Sequence, residues 1–294
     1  MRRILSLITF ITLAATLAQG LQARTFRIMS FNIRVETSAD GINIWDNRKA
    51  DVVQFLNAMK PDVLGMQEVT SNQMKYLTDT LKAYGHVGVS RDDGKDKGEF
   101  CPVFFLKDRY QLMSSGTFWL SETPEEPSFG WDAACRRICT WALLQDKKSG
   151  NNFIFANTHL DHIGEQARQH GAELIKKRLS RLANNLPVLI TGDFNADDQS
   201  AAYQIMTGRI FPMNDANKVA KKATGMHTTW HDWGAIPDDK GEKIDFIFLT
   251  PGIKVKHAHV WNSLIGEGRY LSDHTRDVLG WRIRERVYAK LKGD

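Results

Sequence analysis

Two kinds of hydrophobic pattern alternate along this chain. Short apolar runs are typical of strands, and longer stretches in which apolar residues recur every three or four positions are typical of helices. Strands are predicted at 26–31, 63–66, near 87, and at 103–106, 116–120, 140–144, 153–157, 188–190, 244–249, 253–260 and 278–283. Helices are predicted over 48–59, 72–81 and 165–182. This mixture of many strands with helices predicts two packed sheets with helices outside.

The helix over 165–182 has the clearest periodicity. Its apolar residues define the face that is expected to be buried, namely Ala167, Leu174, Ile175, Leu179 and Leu182. Its basic residues are expected to form a solvated outer face, namely Lys176, Lys177, Arg178 and Arg181. A solvated face of this kind gives no argument for a nucleic-acid partner.

Polar side chains stand at the ends of several predicted strands, where strand propensity does not explain them. They are in phase with, or follow, the apolar residues of their strands, namely Asn32, Glu68, His159, Asp193 and Asn195. Asp193 and Asn195 are two positions apart after the apolar run 188–190, so strand alternation would direct both into one cavity. Buried polar groups need partners, and a metal or a phosphate would supply one. If these strands lie side by side, their ends form a site.

A further carboxylate lies inside an apolar strand. Asp245 is surrounded in sequence by Ile244 and the run 246–249, so its side chain is expected to be buried and paired. His274 is the expected partner, because a carboxylate fixes the tautomer of an imidazole and raises its basicity. Asp273 would then point the other way and share a metal with Glu68.

These residues resemble the motifs of the endonuclease/exonuclease/phosphatase superfamily, the metal-dependent phosphoesterases similar to deoxyribonuclease I. The motifs occur in the order Ser30-Phe31-Asn32, Gln67-Glu68-Val69, Asn157-Thr158-His159-Leu160, Gly192-Asp193-Phe194-Asn195, Ile244-Asp245-Phe246-Ile247 and Ser272-Asp273-His274. Each motif is weak alone, but the ordered set is specific and spans nearly the whole chain. The resemblance implies an α+β fold, a four-layer αββα sandwich, with the site at one edge of the two sheets.

The resemblance also implies a metal site. It assigns Glu68 and Asp273 to Mg²⁺ or Mn²⁺, hard cations that prefer carboxylate and water oxygens. In the same comparison, Asn32 orients the metal shell or a phosphate oxygen.

A catalytic group is implied in the same way. Asp193 would orient or deprotonate the attacking water, and Asn195 and His159 would donate to the non-bridging oxygens of the phosphate. His274, held by Asp245, would contact the phosphoryl group as base, acid or electrostatic partner, and these three roles stay open.

Within the superfamily the chain is similar to a bacterial branch. The motifs of this branch are Phe118-Trp119-Leu120-Ser121-Glu122-Thr123-Pro124, Gly98-Glu99-Phe100 and Thr158-His159-Leu160-Asp161-His162. Abasic-site endonucleases carry an aspartate two positions after the first asparagine, where this chain has Arg34. An arginine there can bind a terminal phosphate dianion that a diester does not offer, which favours a small phosphomonoester such as a sugar phosphate or a nucleotide. The candidate substrate contacts are Arg34, Arg91 and Arg137.

The first residues have the pattern of a signal peptide. Arg2 and Arg3 precede an apolar segment that is shorter than the roughly 20 residues of a membrane span, and Ala23 ends a small-residue cleavage pattern. We therefore expect a signal peptide at 1–23, one domain at 24–294, export to the periplasm or the medium, a monomer and no stable membrane anchor. Cleavage would lower the formal net charge from +5 to +3, because the segment holds two arginines and no acid. The odd number of cysteines, Cys101, Cys135 and Cys139, excludes a disulfide scaffold.

Three other functions place different demands on the sequence. A secreted nuclease acting on DNA or RNA would use the same site, although a charge of +3 is small for a protein that binds nucleic acid. A dinuclear zinc hydrolase of the metallo-β-lactamase type would need a histidine where this chain has Asn157. A non-catalytic binding module on the same fold would lack at least one key residue, and none is missing.

Overall fold

The computed structural model describes residues 26–266 and 268–283. The expected signal peptide at 1–23 lies outside the described residues. The α-helices are α1 (Trp45–Met59), α2 (Ser71–Thr80), α3 (Glu165–Ala183), α4 (Ala201–Thr207) and α5 (Ala216–Val219). The strands are β1 (Phe26–Asn32), β2 (Val63–Gln67), β3 (Tyr84–Val87), β4 (Val103–Leu106), β5 (Tyr110–Trp119), β6 (Ile138–Asp146), β7 (Asn152–His159), β8 (Val188–Asp193), β9 (Asn214–Asp215), β10 (Lys222–Gly225), β11 (Asp245–Leu249), β12 (Ile253–Trp261), β13 (Leu264–Gly266), β14 (Arg269–Tyr270) and β15 (Arg276–Ile283).

Two large sheets form the centre of the molecule. One has the strand order β10-β12-β15-β1-β2-β4-β3, and the other has the order β5-β6-β7-β8-β11-β9. Apolar residues of both sheets share one core, which also includes Trp45, Leu56 and Leu77 of α1 and α2. A second core joins the other face of the six-stranded sheet to α3 and α4. The predicted α+β fold, with two sheets between two helical layers, is confirmed.

The face assigned to α3 was wrong at two positions. Leu182 is 40% exposed, and the final turn of the helix is instead buried through Ala183. Lys176 is only 5% exposed, because its Nζ donates to the carbonyls of Ile205 (2.5 Å) and Met206 (3.0 Å) at the end of α4. The last carbonyls of a helix lack partners within the helix, so a buried lysine can satisfy them. The expected solvated face keeps Lys177 and Arg181, which are exposed.

The cysteines form no disulfide. All three, Cys101, Cys135 and Cys139, are free thiols. Burial raises the pKa of the Cys101 thiol to about 12, so this thiol is inert at neutral pH. In the part of the chain that the structure describes, no helix is long and apolar enough to cross a lipid bilayer.

The two sheets approach each other closely beside the ends of β1, β2, β7 and β8. A Cβ atom at Gly65 would lie only 2.1 Å from Thr191 Oγ1, so this position admits no side chain. A buried polar network fills the gap: Gln67 donates to Asn157 Oδ1 (2.6 Å), and Thr191 Oγ1 donates to the same oxygen (3.0 Å). Asn157 in turn donates to the carbonyl of Met66 (2.6 Å). Because these bonds cross from one sheet to the other, the network fixes the two sheets against each other, and Gln67 Oε1 is its one atom without a partner among the described residues.

Candidate active site

The six-stranded sheet contributes three ionisable residues in one row. His159, at the end of β7, pairs in register with Asp193 at the end of β8, and Asp193 pairs with Asp245 at the start of β11. From the seven-stranded sheet come Asn32, the last residue of β1, and Glu68, which directly follows β2. The segment before β15 adds Asp273 and His274. The residues predicted from the strand ends therefore meet where the two sheets meet.

Most of these side chains line a cavity of about 560 Å³, whereas Asn32 and Asp245 contact its lining residues without lining it themselves. Its lining includes the predicted residues Arg34, Glu68, Arg91, Arg137, His159, Asp193, Asn195, Asp273 and His274. A cavity of this volume is in the range of small-molecule binding sites.

The backbone turns sharply after the strand ends. Arg34, Glu68 and Asn195 have φ angles of 63°, 62° and 46° respectively, which is the left-handed region that few residues other than glycine adopt. Strand alternation was therefore the wrong reason for expecting Glu68 and Asn195 at the site. Their side chains reach the cavity because the chain leaves the strand conformation, and such strained residues are common at functional sites.

Asn32 joins the carboxylates of the two sheets. Its Nδ2 donates to Glu68 Oε1 (2.9 Å) and to Asp193 Oδ2 (3.0 Å). Its Oδ1 accepts the backbone N–H of Arg34 (2.9 Å), so the amide is fixed from both ends and holds the two carboxylates in place. Glu68 Oε2 also accepts the backbone N–H of Val35 (2.7 Å).

The predicted pairing of Asp245 with His274 is present. His274 Nδ1 lies 2.9 Å from Asp245 Oδ2, and both side chains are buried. His274 Nε2 points the other way, 3.7 Å from Asp193 Oδ2. Burial alone would lower the pKa of His274, but Asp245 and Asp193 raise it well above its ordinary value. His274 is therefore an imidazolium at neutral pH, held by Asp245.

The carboxylates of the site differ in their affinity for protons. Burial, with the nearby charge of Asp245, raises the pKa of Asp193 to about 7. Burial alone would also raise the pKa of Glu68, but His274 and the hydrogen bonds from Asn32 and Val35 hold it below its ordinary value. Glu68 is thus a permanent anion, while Asp193 can exchange a proton near neutral pH.

His159 has the opposite electrostatic environment to His274. Burial, together with the positive charges of Arg137 and Arg91, lowers the pKa of His159 well below its ordinary value, so the ring is neutral. Asn195 Nδ2 lies 2.9 Å from His159 Nε2 and donates to the carbonyl of Leu160 (3.0 Å). Asn195 therefore orients the ring of His159, and both of its amide hydrogens are used within the protein. Since Nε2 accepts from Asn195, the proton of the neutral ring is on Nδ1.

Two groups of ligand-type side chains could hold a metal ion in the described part of the chain. In each group the ligand atoms lie within 4.8 Å of one another, and the groups are Glu68-His159-Asp193 and Asp193-Asp245-His274. The first group contains Glu68, an ionised and partly exposed carboxylate that lines the cavity. Such a carboxylate suits a hard divalent cation. Asp273 belongs to neither group. Its Oδ2 lies 3.5 Å from Arg34 Nη1, and Ser272 Oγ donates to its Oδ1 (3.3 Å).

The three candidate substrate arginines all line the cavity, and each is paired. Arg34 lies between Asp40 (3.1 Å) and Asp273 (3.5 Å). Arg91 pairs with Glu99 (2.7 Å), and Arg137 pairs with Asp161 (3.2 Å). None of the three is a free surface arginine, because each guanidinium contacts at least one carboxylate.

A buried arginine supports the segment that carries Arg34. Arg48 is 1% exposed, and its guanidinium donates to the carbonyls of Ile33, Leu271 (3.0 Å) and Arg34 (3.0 Å). Gln73 of α2 donates to the same carbonyl of Arg34 (2.8 Å). These bonds explain how the strained backbone at Arg34 is held, because each satisfies a carbonyl that no strand pairs.

Glu99 is a cavity residue that was not predicted. In the sequence, the tripeptide Gly98-Glu99-Phe100 indicates only the family branch, because it lies outside any predicted strand. In the structure Glu99 lines the cavity with His162 and Trp230. The only sequence signal was a glutamate between glycine and phenylalanine, and this signal does not indicate which residues Glu99 contacts.

The conservative change Asp245→Asn is expected to lower kcat by on the order of a hundredfold, as loss of a charged partner in the active site does. The amide cannot hold His274 as an imidazolium, so the variant should resemble His274→Ala. Steady-state phosphate release measures this. Asp215→Asn is the matched control, since Asp215 is also a buried aspartate on a neighbouring strand but bonds Tyr203 (3.2 Å). Wild-type activity in Asp245→Asn would show that the carboxylate is structural only.

Asp161→Asn is expected to reduce the free energy of unfolding by about 2 kcal/mol at pH 7. Asp161 accepts the backbone N–H groups of Gly164 (2.8 Å) and Ile163 (3.0 Å) as well as the Arg137 guanidinium. Burial alone would raise the pKa of Asp161, but these bonds hold it well below its ordinary value. An aspartate with a lowered pKa stabilises the fold above its unfolded pKa of about 4, and this contribution is lost as the pH falls toward the folded value.

The difference in stability between wild type and Asp161→Asn should therefore shrink between pH 7 and pH 3. Urea unfolding at both pH values measures it, with Asp79→Asn on the exposed face of α2 as control. A difference that does not change with pH would contradict the assigned role of the Asp161 charge.

Comparison with known proteins agrees with this arrangement of residues. The profile of the Endonuclease/Exonuclease/phosphatase family matches residues 29–274. The endonuclease/exonuclease/phosphatase of Bacteroides vulgatus is 42% identical, with a TM-score of 0.86 over 89% of this chain and 100% of that chain. The mannosyl-6-phosphatase Bt3783 of Bacteroides thetaiotaomicron is 32% identical, with a TM-score of 0.80 over 87% of this chain and 99% of that chain.

Curated relatives are more distant in sequence. Nocturnin of Xenopus laevis is 26% identical over 243 residues, which are 71% of this chain and 58% of nocturnin. The chain spans about half the length of the curated relatives it matches. Members of the matched family hydrolyse phosphate esters and typically depend on a divalent metal, for which this site has candidate ligands. From residue 29 to residue 274, this chain belongs to the endonuclease/exonuclease/phosphatase family.

Proposed function

We propose that this enzyme hydrolyses a small phosphomonoester with the help of Mg²⁺ or Mn²⁺. The observation that carries the proposal is the cavity of about 560 Å³, in which Arg34 lies beside the acidic residues Glu68 and Asp273. Such a cavity suits a small ester, and a guanidinium at this position can bind the terminal oxygens of a phosphate dianion. The mannosyl-6-phosphatase named above, which is similar over most of both chains, supports the same substrate class.

The metal would be held by Glu68, and Asp273, which lines the same cavity, would bind it directly or through a water, with further water completing the shell. The donor set fits, because Glu68 is an anion and both carboxylates line the cavity. A divalent cation at this position supplies charge that polarises a phosphoryl oxygen.

The remaining chemistry is assigned to the residues of the chain. Asp193, with a pKa of about 7, orients a water and accepts its proton near neutral pH. The imidazolium of His274, fixed by Asp245, donates through Nε2 to a phosphoryl oxygen that gains negative charge. His159 lies beside Asp193, with its Nε2 3.6 Å from Asp193 Oδ2, while its Nδ1 lies on the side of Glu99.

The test is a side-by-side assay with Mg²⁺ of sugar phosphates, nucleotides, plasmid DNA and short RNA. Release of inorganic phosphate from at least one monoester, with slow cleavage of the nucleic acids, supports the proposal. Efficient nicking of plasmid without phosphate release from any monoester would favour a nuclease instead. Binding of phosphate esters without any hydrolysis would favour a binding module.

We further propose that the enzyme is exported and acts as a monomer. The support is the sequence of residues 1–23, with two arginines before an apolar segment and a cleavage pattern that ends at Ala23. Mass spectrometry of the exported protein is expected to find a new N-terminus near Arg24. An intact Met1 on exported protein would contradict cleavage, and light scattering would measure the oligomeric state.

A further inference from the structure

One wall of the cavity has no part in the proposed chemistry. It consists of Arg91, Glu99, Arg137 and His162, and we call it the polar wall. Arg91 pairs with Glu99 through its guanidinium (2.7 Å), and the backbone of Arg91 donates to the carbonyl of Glu99 (2.9 Å). Arg137 lies 2.8 Å from His162 Nδ1 through Nη2. These contacts fix the positions of the side chains before any ligand binds.

Two donors of the polar wall and one donor of the neighbouring His159 lack a hydrogen-bond partner within the described residues. They are Arg91 Nε, Arg137 Nη1 and His159 Nδ1, all of them buried atoms. His159 Nδ1 is 4.0 Å from Glu99 Oε2, which is too far for a hydrogen bond. A buried donor without a partner costs about 1–3 kcal/mol, so a ligand that accepts from these donors would recover that free energy on binding.

The wall carries little net charge. The guanidinium of Arg91 is matched by Glu99, and that of Arg137 by Asp161, so each positive charge already has a carboxylate. If the ligand carried an anionic group besides its phosphate, that group would lie near the carboxylate of Glu99 and gain little binding free energy from the arginines. A hydroxyl group fits both kinds of partner, because it can donate to Glu99 and accept from the free N–H groups.

The polar wall and the phosphate site lie on opposite sides of the imidazole ring of His159. The imidazole of His159 separates the two, with Nε2 3.6 Å from Asp193 Oδ2 and Nδ1 4.0 Å from Glu99 Oε2. Trp230, which is 37% exposed, lines the same cavity and adds an aromatic surface. Aromatic surfaces with nearby polar groups suit ligands that are apolar on one face and hydroxylated at the edge.

We propose that the polar wall binds the hydroxyl groups of a carbohydrate leaving group, so that the substrate is a sugar phosphate. Glu99 accepts from one hydroxyl, and Arg137 and His159 donate to its neighbours. This proposal rests on the proposed phosphomonoesterase function and specifies its substrate class.

The first experiment measures kcat and KM with Mg²⁺ for mannose 6-phosphate, glucose 6-phosphate and phenyl phosphate, which lacks hydroxyls. In Glu99→Gln and Arg137→Ala, kcat/KM for the better hexose phosphate should fall at least tenfold relative to phenyl phosphate, mainly through KM. Arg136→Ala is the matched control, because Arg136 lies next in the chain but contacts Phe129 and does not line the cavity. Both substrates should keep their wild-type values in this control.

An equal effect of Glu99→Gln on both substrates would overturn the proposal. Because Arg137 is buried, thermal unfolding of its variant is measured first, and the isosteric Glu99→Gln decides the result if Arg137→Ala does not fold.

A second experiment separates this proposal from the proposed function. The affinities of the hexose phosphates and phenyl phosphate are measured by calorimetry on Asp193→Asn, which should bind without turnover. Binding of a hexose phosphate at least tenfold tighter than phenyl phosphate supports the polar wall, and equal affinities overturn it. If wild type releases phosphate neither from these esters nor from the sugar phosphates and nucleotides of the side-by-side assay, the phosphomonoesterase function is contradicted, and the binding comparison still decides what the wall recognises.

Discussion

Replacing His274 with alanine is expected to lower kcat by on the order of a hundredfold or more, as for the loss of one preorganised donor to the transition state. The variant removes the imidazolium that Asp245 holds at 2.9 Å and leaves the strands around it unchanged. Asp193→Ala should have an effect of the same size, because the water loses the group that orients it.

Phosphate release, measured beside thermal unfolding, checks both variants. His170→Ala is a suitable control, since His170 lies on α3 and pairs with Glu173 (3.1 Å) outside the cavity. A folded His274→Ala variant with near wild-type kcat would remove His274 from the mechanism. Unfolding of either variant would instead point to a structural role for the replaced residue.

Removal of divalent metal is expected to abolish measurable activity. Glu68, Asp193 and Asp273 bring three acidic groups to one cavity, and Arg34 and His274 are the cationic groups nearest to them. Without a cation, a phosphate dianion would meet these carboxylates, and the loss of the metal removes a large part of the transition-state stabilisation.

Activity should disappear in excess chelator and return on addition of Mg²⁺ or Mn²⁺. Glu68→Gln should need a higher metal concentration for half-maximal activity, and this shift separates a ligand from a residue that only contacts substrate. Asp79→Asn, far from the cavity, should keep the wild-type metal response. Full activity in excess chelator would exclude a metal-dependent mechanism.

Most ionisable residues of the site could be found from the sequence because each follows, interrupts or directly precedes an apolar strand. Asp245 is the clearest example: a carboxylate among buried apolar residues needs a partner, and His274 is that partner in the structure. The two-sheet fold also followed from the pattern, because alternating strands and helices leave few ways to bury every apolar face.

Other features depend on contacts between distant segments. The left-handed backbone at Glu68 and Asn195 is held by tertiary hydrogen bonds, which no local pattern reports. Lys176 looked like a surface residue because its partners, the last carbonyls of α4, are about 30 positions away in sequence. Glu99 could be recognised as a site residue only from the fold, which places its carboxylate 4.0 Å from His159 Nδ1.

The absence of a side chain at Gly65 makes catalysis sensitive to a residue that touches no substrate. Asn32 and Glu68 belong to one sheet and Asp193 to the other, so the thickness of the layer between the sheets sets the distances across the cavity. A methyl group at position 65 would overlap the side chains of Thr191 and Asn157, so these side chains or the sheet that carries them would have to move. A displacement of about 1 Å in an active site can cost a factor of a hundred in rate. A substitution in the interior of this enzyme can therefore misplace the catalytic side chains relative to one another, although every catalytic residue is still present.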